Sequence, residues 1–163
     1  MKKITYPIIA IIIPIFINAC VGYKPIYTTD LQFKIADYSI KSNKKLGRQI
    51  YSKLYSLSKS SRNNADAQSV NITIDTTKEK KATAKDSAGK ILEYRIILNS
   101  KIIIKDNLTN KEILNENFSY TSAYKVQNQY SETKKLENKS IESLINKIYQ
   151  NLTIKMSENM LTQ

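Results

Sequence analysis

Histidine and tryptophan are absent from this 163-residue chain, cysteine occurs once and glycine three times. Each absence excludes a chemistry. Without histidine there is no imidazole base, no imidazole metal ligand and no Ser-His or Cys-His pair. A single cysteine builds neither a disulfide framework nor a thiolate zinc site. Three glycines cannot form a phosphate-cradling P-loop or a G-x-G-x-x-G turn. Arginine is scarce as well: among 26 basic residues only Arg48, Arg62 and Arg95 are arginine. Arginine dominates bidentate readout of bases and phosphates, so its scarcity argues against a sequence-specific nucleic-acid partner.

What is present is lysine, in excess. The formal net charge is +12. Hydrophobic residues make up 41% of the chain, enough to build a core. The length suits one domain. Two readings of the lysines stand side by side. They form a solvated surface in a chain also rich in Ile and Asn, or they face a partner rich in phosphate or carboxylate.

The N-terminus reads as an address. Lys2 and Lys3 precede an apolar run from Ile8 to Ile17, interrupted by Pro14. The run is too short for a spanning helix and has the form of an export signal. It ends at Ile17-Asn18-Ala19-Cys20. An aliphatic residue at −3, a small residue at −1 and Cys at +1 match a bacterial lipobox, with Asn18 departing from the usual residue at −2. Residues 1–19 are then a removed signal peptide, and Cys20 is the acylated first residue of the mature chain. Loss of Lys2 and Lys3 lowers the formal charge from +12 to +10. No Asp follows Cys20, which leaves the outer membrane as the destination.

In the mature chain, residues 20–163, one domain is expected. Val21 to Tyr27 reads as an ordered extended segment. Leu31, Phe33 and Ile35 alternate with polar residues and predict a strand, followed by a turn over Asp37 to Asn43. Leu46, Ile50, Leu54 and Leu57 predict a helix from Lys44 to Leu57. Gly47 inside it costs ~1 kcal/mol relative to Ala. Val70, Ile72 and Ile74 begin a second strand. Asp86-Ser87-Ala88-Gly89 is a hairpin turn with Gly89 at the position suited to a positive φ. Strands follow at about Ile91 to Lys105 and Glu112 to Tyr124, separated by a turn over Asp106 to Asn110. Leu136, Ile141, Leu144, Ile145, Ile148 and Leu152 predict a long amphipathic helix with Ser131 as its N-cap and a frayed end from Ser157. The order β-α-β-β-β-α implies an α+β fold: a two-layer sandwich, with two helices on one face of a four-stranded mixed sheet.

No constellation for catalysis emerges. The 14 acidic residues fall mainly in turns and on helix surfaces, and Glu137 and Glu142 do not share a helix face. No catalytic residue, metal site or cofactor is expected, and the chain reads as no enzyme. Eleven tyrosines include Tyr51, Tyr55, Tyr94, Tyr120 and Tyr124 beside apolar faces, as peripheral core or as an interface. The hairpin carries Lys78, Lys80, Lys81, Lys85 and Lys90. It is either a solubilising loop or a tip that meets the phosphates of an anionic glycolipid.

The run Cys20-Val21-Gly22-Tyr23-Lys24-Pro25-Ile26-Tyr27 resembles the mature start of lipopolysaccharide-assembly lipoproteins of the LptE family, in its alphaproteobacterial form. There the pattern is Cys, Gly, an aromatic, a variable residue, Pro, an aliphatic and Tyr; Val21 is an insertion. The matching signature positions are Gly22, Tyr23, Pro25 and Tyr27. The turn Gly89 before Tyr94 and Leu98, the run Phe118-Ser119-Tyr120 and the closing helix are similar as well. The resemblance implies a lipoprotein that plugs the LptD β-barrel, helps it assemble and assists lipopolysaccharide transport to the outer leaflet. The partners implied are the barrel, lipopolysaccharide and the membrane holding the acyl anchor. In some members a basic residue implicated in lipopolysaccharide contact precedes the turn glycine. Here Ser87 and Ala88 stand there, so local chemistry alone points to Lys80, Lys81, Lys85 and Lys90 as anion contacts. The competing reading is an envelope-anchored binding or structural lipoprotein without a barrel partner.

Overall fold

The computed structural model describes residues 31–61 and 64–161. Cys20, Gly22, Tyr23, Pro25, Tyr27 and the signal segment lie outside the described residues. The elements are β1 (Phe33–Ser42), α1 (Lys44–Ser58) with a 3-10 turn (Lys59–Ser61), β2 (Gln68–Lys85), β3 (Ile91–Asp106), β4 (Glu112–Lys125) and α2 (Tyr130–Leu161). The strands lie in the order β1-β2-β3-β4. β1 and β2 are parallel, joined through α1, and the two hairpins are antiparallel. This is the expected α+β arrangement, a mixed four-stranded sheet with two helices.

The alternation of sequence becomes the two faces of the sheet. Val70, Ile72 and Ile74 of β2, Ile96, Leu98, Ile102 and Ile104 of β3, and Leu114 and Phe118 of β4 are buried in one core. Leu46, Ile50 and Leu54 of α1 and Leu144, Ile145, Ile148, Leu152 and Met156 of α2 close it from the helix side. Each fully buried aliphatic side chain contributes about 1.5–3 kcal/mol. Ile97 and Ile103, on the other face, are only half-buried.

β1 does not turn at Asp37. Its register with β2 slips between Ile35 and Asp37, leaving Ala36 as a bulge. Before the slip odd residues share the core face; after it even residues do, so that Tyr38 pairs with Ile72 and Ile40 with Ile74. A bulge inverts the phase of a strand, and the inverted stretch lost its period of two and read as a turn. The helix after it begins where expected. Asn43 caps it by accepting from the Leu46 N–H at 3.2 Å.

Both turns are built by an aspartate. The Asp86 carboxylate accepts from the Ala88 and Lys90 N–H groups at 3.0 and 2.9 Å, and Gly89 takes φ 83°. The Asp106 carboxylate accepts from Thr109 N–H at 2.8 Å and Leu108 N–H at 3.0 Å. The Thr109 backbone bond, with Gln68 and the Thr109 hydroxyl, lowers its carboxyl to about 2.

α2 differs from expectation at both ends. Ser131 lies inside its first turn rather than at the cap. The Thr133 hydroxyl instead accepts from the Gln127 N–H at 2.8 Å. The far end stays helical to Leu161, because Met156 is buried in the core and Met160 packs against it.

Candidate functional site: a lysine and tyrosine cluster around Glu137

The buried stripe of α2 continues upward past its apolar part. Met156, Leu152, Ile148 and Leu144 are followed, at three- and four-residue spacing, by Ser140, Glu137 and Thr133, all buried. The core face of β2 likewise continues past Ile74 into Thr76, Lys78 and Lys80. The polar ends of the two patterns meet. Thr76 Oγ1 and Ser100 Oγ lie 3.0 Å apart, and above them Glu137 receives three lysines. Its carboxylate is 3.0 Å from Lys80 Nζ, 3.4 Å from Lys134 Nζ and 3.5 Å from Lys78 Nζ. The Tyr124 hydroxyl donates to the same carboxylate at 3.3 Å.

Two aromatic rings complete the cluster. Lys80 Nζ sits 4.2 Å from the Tyr94 ring centre and 5.5 Å from that of Tyr124. The two rings are 5.9 Å apart and tilted by 30°. β3 and β4 hold them side by side, because Tyr94 pairs directly with Tyr124 in the register. An ammonium over aromatic faces gains a further electrostatic contact.

The electrostatics follow from partners rather than from burial. Burial alone would raise the Glu137 carboxyl; the Lys80 hydrogen bond and charge, with Lys134, outweigh it and hold the carboxyl at about 2. Burial alone would lower Lys80; its bonds to Tyr124 and Glu137 prevail and raise it. Tyr124 is raised, first by burial, against the lowering influence of Lys80. Both groups of the central pair therefore stay charged at neutral pH.

This has a consequence in acid. The Glu137 carboxyl sits at about 2 in the fold and at 4.5 in the open chain. The unfolded chain therefore binds the proton first, and the stabilisation is complete above about pH 4.5 and lost as pH falls toward 2. Its size is on the order of 1–3 kcal/mol. Asp106 titrates in the same window, so the informative measurement compares wild type with Glu137→Gln. Wild type should lose clearly more denaturant resistance than the variant between pH 6 and pH 3. Equal losses would assign the acid response elsewhere.

The four lysines expected to act together are divided by the sheet. Lys80 points to the helix side and is held by Glu137. Lys81 is on the opposite face, paired with Glu79 at 2.9 Å. Lys85 and Lys90 flank the Asp86 turn and are exposed. Sequence predicts a helix-surface position for Glu137; it is 5% exposed. The 3-4 stripe running down from Thr133 was the signal that could have found it, had polar residues been counted as stripe members. Tyr51 and Tyr55 are not core residues of this cluster. Tyr51, packed against the main core, stacks on Tyr38 at 4.0 Å and lies 5.9 Å from Tyr55 along α1.

The cluster carries three ammonium groups and one carboxylate at the end of the sheet where both helices begin. Helix N-termini add partial positive charge there, and the first turn of α1 holds no acidic residue. A cleft of about 460 Å³ opens beside it, lined by Lys80, Tyr94, Gln127, Thr133, Lys134 and Glu137. A wider cleft of about 700 Å³ separates the upper halves of α1 and α2, with Leu46, Ile141 and Ile145 below Lys45, Lys78 and Lys134. Such a surface attracts anions.

No protein-family model matches the chain, and no curated protein matches it in sequence. Solved structures do match in shape. A minor lipoprotein from Acinetobacter baumannii is 15% identical with a TM-score of 0.55; the match covers 80% of this chain and 96% of that one. The uncharacterized lipoprotein B from Nitrosomonas europaea is 13% identical with a TM-score of 0.57, covering 82% of this chain and 90% of that one. At these identities the likeness is one of fold: the sheet and two helices described above are shared with proteins that carry the name lipoprotein.

Proposed function

We propose that this chain is an outer-membrane lipoprotein, facing the periplasm, that plugs and helps assemble an LptD-type β-barrel and assists lipopolysaccharide transport to the outer leaflet. The observation that carries the reading is the run from Cys20 to Tyr27 at the end of an export signal. Support comes from the fold that follows, which two solved lipoproteins share. Acylated Cys20 anchors the chain far more firmly than a single myristoyl group would. The domain then works by shape and charge and not as an enzyme.

The geometry sets a direction. The chain enters the described residues beside Gln68, at one end of β2, and the basic turn lies at the other. Eighteen residues of strand separate the two ends, about 55 Å at ~3.3 Å per residue. The lysine-bearing end is thus remote from the entry of the anchor segment. On this reading that end meets the phosphates of a glycolipid inside the partner rather than those of the membrane that holds the anchor.

Depletion in the native bacterium is the direct test. The mature barrel and surface lipopolysaccharide should both fall, and the chain should co-purify with a large β-barrel after mild detergent extraction. If the chain extracts alone and both quantities are unchanged, the envelope-anchored lipoprotein without a barrel partner is the better description. A second expectation concerns the hairpin. Neutralising Lys81, Lys85 and Lys90 together should weaken lipopolysaccharide binding by roughly tenfold, the effect of ~1.4 kcal/mol, and leave the unfolding midpoint in place. Lys80 is kept, because its removal also opens the Glu137 cluster. Unchanged affinity in the triple variant would remove the hairpin from the binding surface.

A further inference from the structure

β2 outruns its neighbour. β1 pairs with β2 from Phe33 opposite Gln68 to Ser42 opposite Thr76, while β2 continues to Lys85. The chain leaves the sheet at Ser42, where φ is 54°. The Asn43 N–H donates to the Thr76 carbonyl at 3.0 Å and ends the pairing on that side. From Thr77 onward β2 is bonded to β3 alone; among the described residues no strand fills the lane beyond β1. Every residue from Thr77 to Lys90 is exposed.

The backbone hydrogen bonds fix which groups face this lane. In a strand the N–H and C=O of one residue point to the same edge, and successive residues alternate. The Thr76 carbonyl bonds toward β1, and the Gln68 N–H bonds to Gln32 on the same side. The Ser69 carbonyl accepts from Asn107 on the opposite side. Even-numbered residues therefore address the open edge, and the register with β3 stays in step until Ala82. Lys78, Lys80 and Ala82 present three N–H and three C=O groups to an empty lane. Thr77, Glu79 and Lys81 direct theirs to β3.

Lysine side chains commonly guard such edges. Here two of them do not. Lys78 and Lys80 are drawn under the sheet onto Glu137, which leaves the backbone uncovered at two of the outward-facing positions. The register with β3 slips on either side of Ala84, so this alternation holds up to Ala82.

We propose that this lane receives an acidic extended segment of a partner polypeptide, added as a strand beside Thr77 to Ala82. Charge selects the occupant. Residues 77–90 hold five lysines against Glu79 and Asp86, a net of +3. A second copy of this chain would bring the same charge to the adjacent strand, which is unfavourable. An acidic strand gains both the backbone ladder and the lysines. Strand addition of this kind takes affinity from main-chain bonds and specificity from alternate side chains. The inference goes beyond the barrel reading and does not depend on lipopolysaccharide.

The test uses the isotopically labelled full-length chain in detergent and two peptides, five repeats of Thr-Glu and five repeats of Thr-Lys. The Thr-Glu peptide should slow amide exchange at Lys78, Lys80 and Ala82 by at least tenfold at saturation. Thr77, Glu79 and Lys81, already bonded to β3, should not change, and the Thr-Lys peptide should have no effect. Absence of binding overturns the proposal. So does binding without the even-residue pattern, which is ionic adhesion to the lysines. Equal slowing by both peptides, or protection by a second copy in their absence, overturns it too.

Discussion

Glu137→Lys should unfold the hairpin end of the molecule. The change replaces the carboxylate that Lys78, Lys80, Lys134 and Tyr124 share with a fourth ammonium. Two like charges ~4 Å apart repel by about 4 kcal/mol at an effective dielectric constant near 20. Lys78 and Lys80 keep about a third of their side-chain surface exposed, so they can swing outward and relieve part of this. The buried Tyr124 hydroxyl would still lose its acceptor. We expect a loss on the order of 3–5 kcal/mol, a large share of the 5–15 kcal/mol of a typical domain. Glu137→Gln keeps an acceptor and should cost about 1–2 kcal/mol. Glu142→Lys, the same charge change on an exposed position of the same helix, should move the denaturation midpoint very little. If Glu137→Lys and Glu142→Lys denature alike, Glu137 is not the hub of the lysine and tyrosine cluster.

Gly47→Val should be nearly as damaging, for a steric reason. A Cβ at Gly47 would overlap the Cγ2 methyl of Ile40. That methyl belongs to a β-branched side chain on the strand that α1 crosses back over, and it cannot swing aside as a lysine tip would. Glycine here lets helix and sheet approach; it is not present for an unusual φ. Overpacking of this type costs typically 1–3 kcal/mol, and valine adds a second branch to accommodate. Gly47→Ala gains ~1 kcal/mol of helix propensity against the same overlap and should be the milder change. The diagnostic measurement is a double-mutant cycle with Ile40→Ala. Removing the Cγ2 methyl should make Gly47→Ala neutral or stabilising. Additive losses would show that the overlap is not the cause.

The strands and helices were legible because their apolar periods are long and clean. Ile72 and Ile74 in β2, Ile96 to Ile104 in β3 and Ile148 to Met156 in α2 each repeat over several turns or pleats. The turns were legible because Asp86, Gly89 and Asp106 are residues with local bonding preferences. β1 was half-read, since the Ala36 bulge changes which parity faces the core and a pattern search assumes one parity. The cluster escaped for a related reason. Glu137, Lys78 and Lys80 continue buried stripes with charged residues, and each stripe viewed alone reads as having reached the surface. Only the meeting of α2 with the core face of β2 makes those positions interior.

Sequence by itself determined the fold class and the shortage of histidine, cysteine and glycine, and set the expectation of a lipid anchor at Cys20, because each rests on residue type and local order. Tertiary structure decided which lysines act together. Lys80 and Lys81 are neighbours in the chain and lie on opposite faces, whereas Lys80 and Lys134 are far apart in the chain and share one carboxylate. The physical reason is that charge acts through space. The pleat sends adjacent side chains apart, and the packing of a helix on a sheet brings distant ones within 3.5 Å of a common partner.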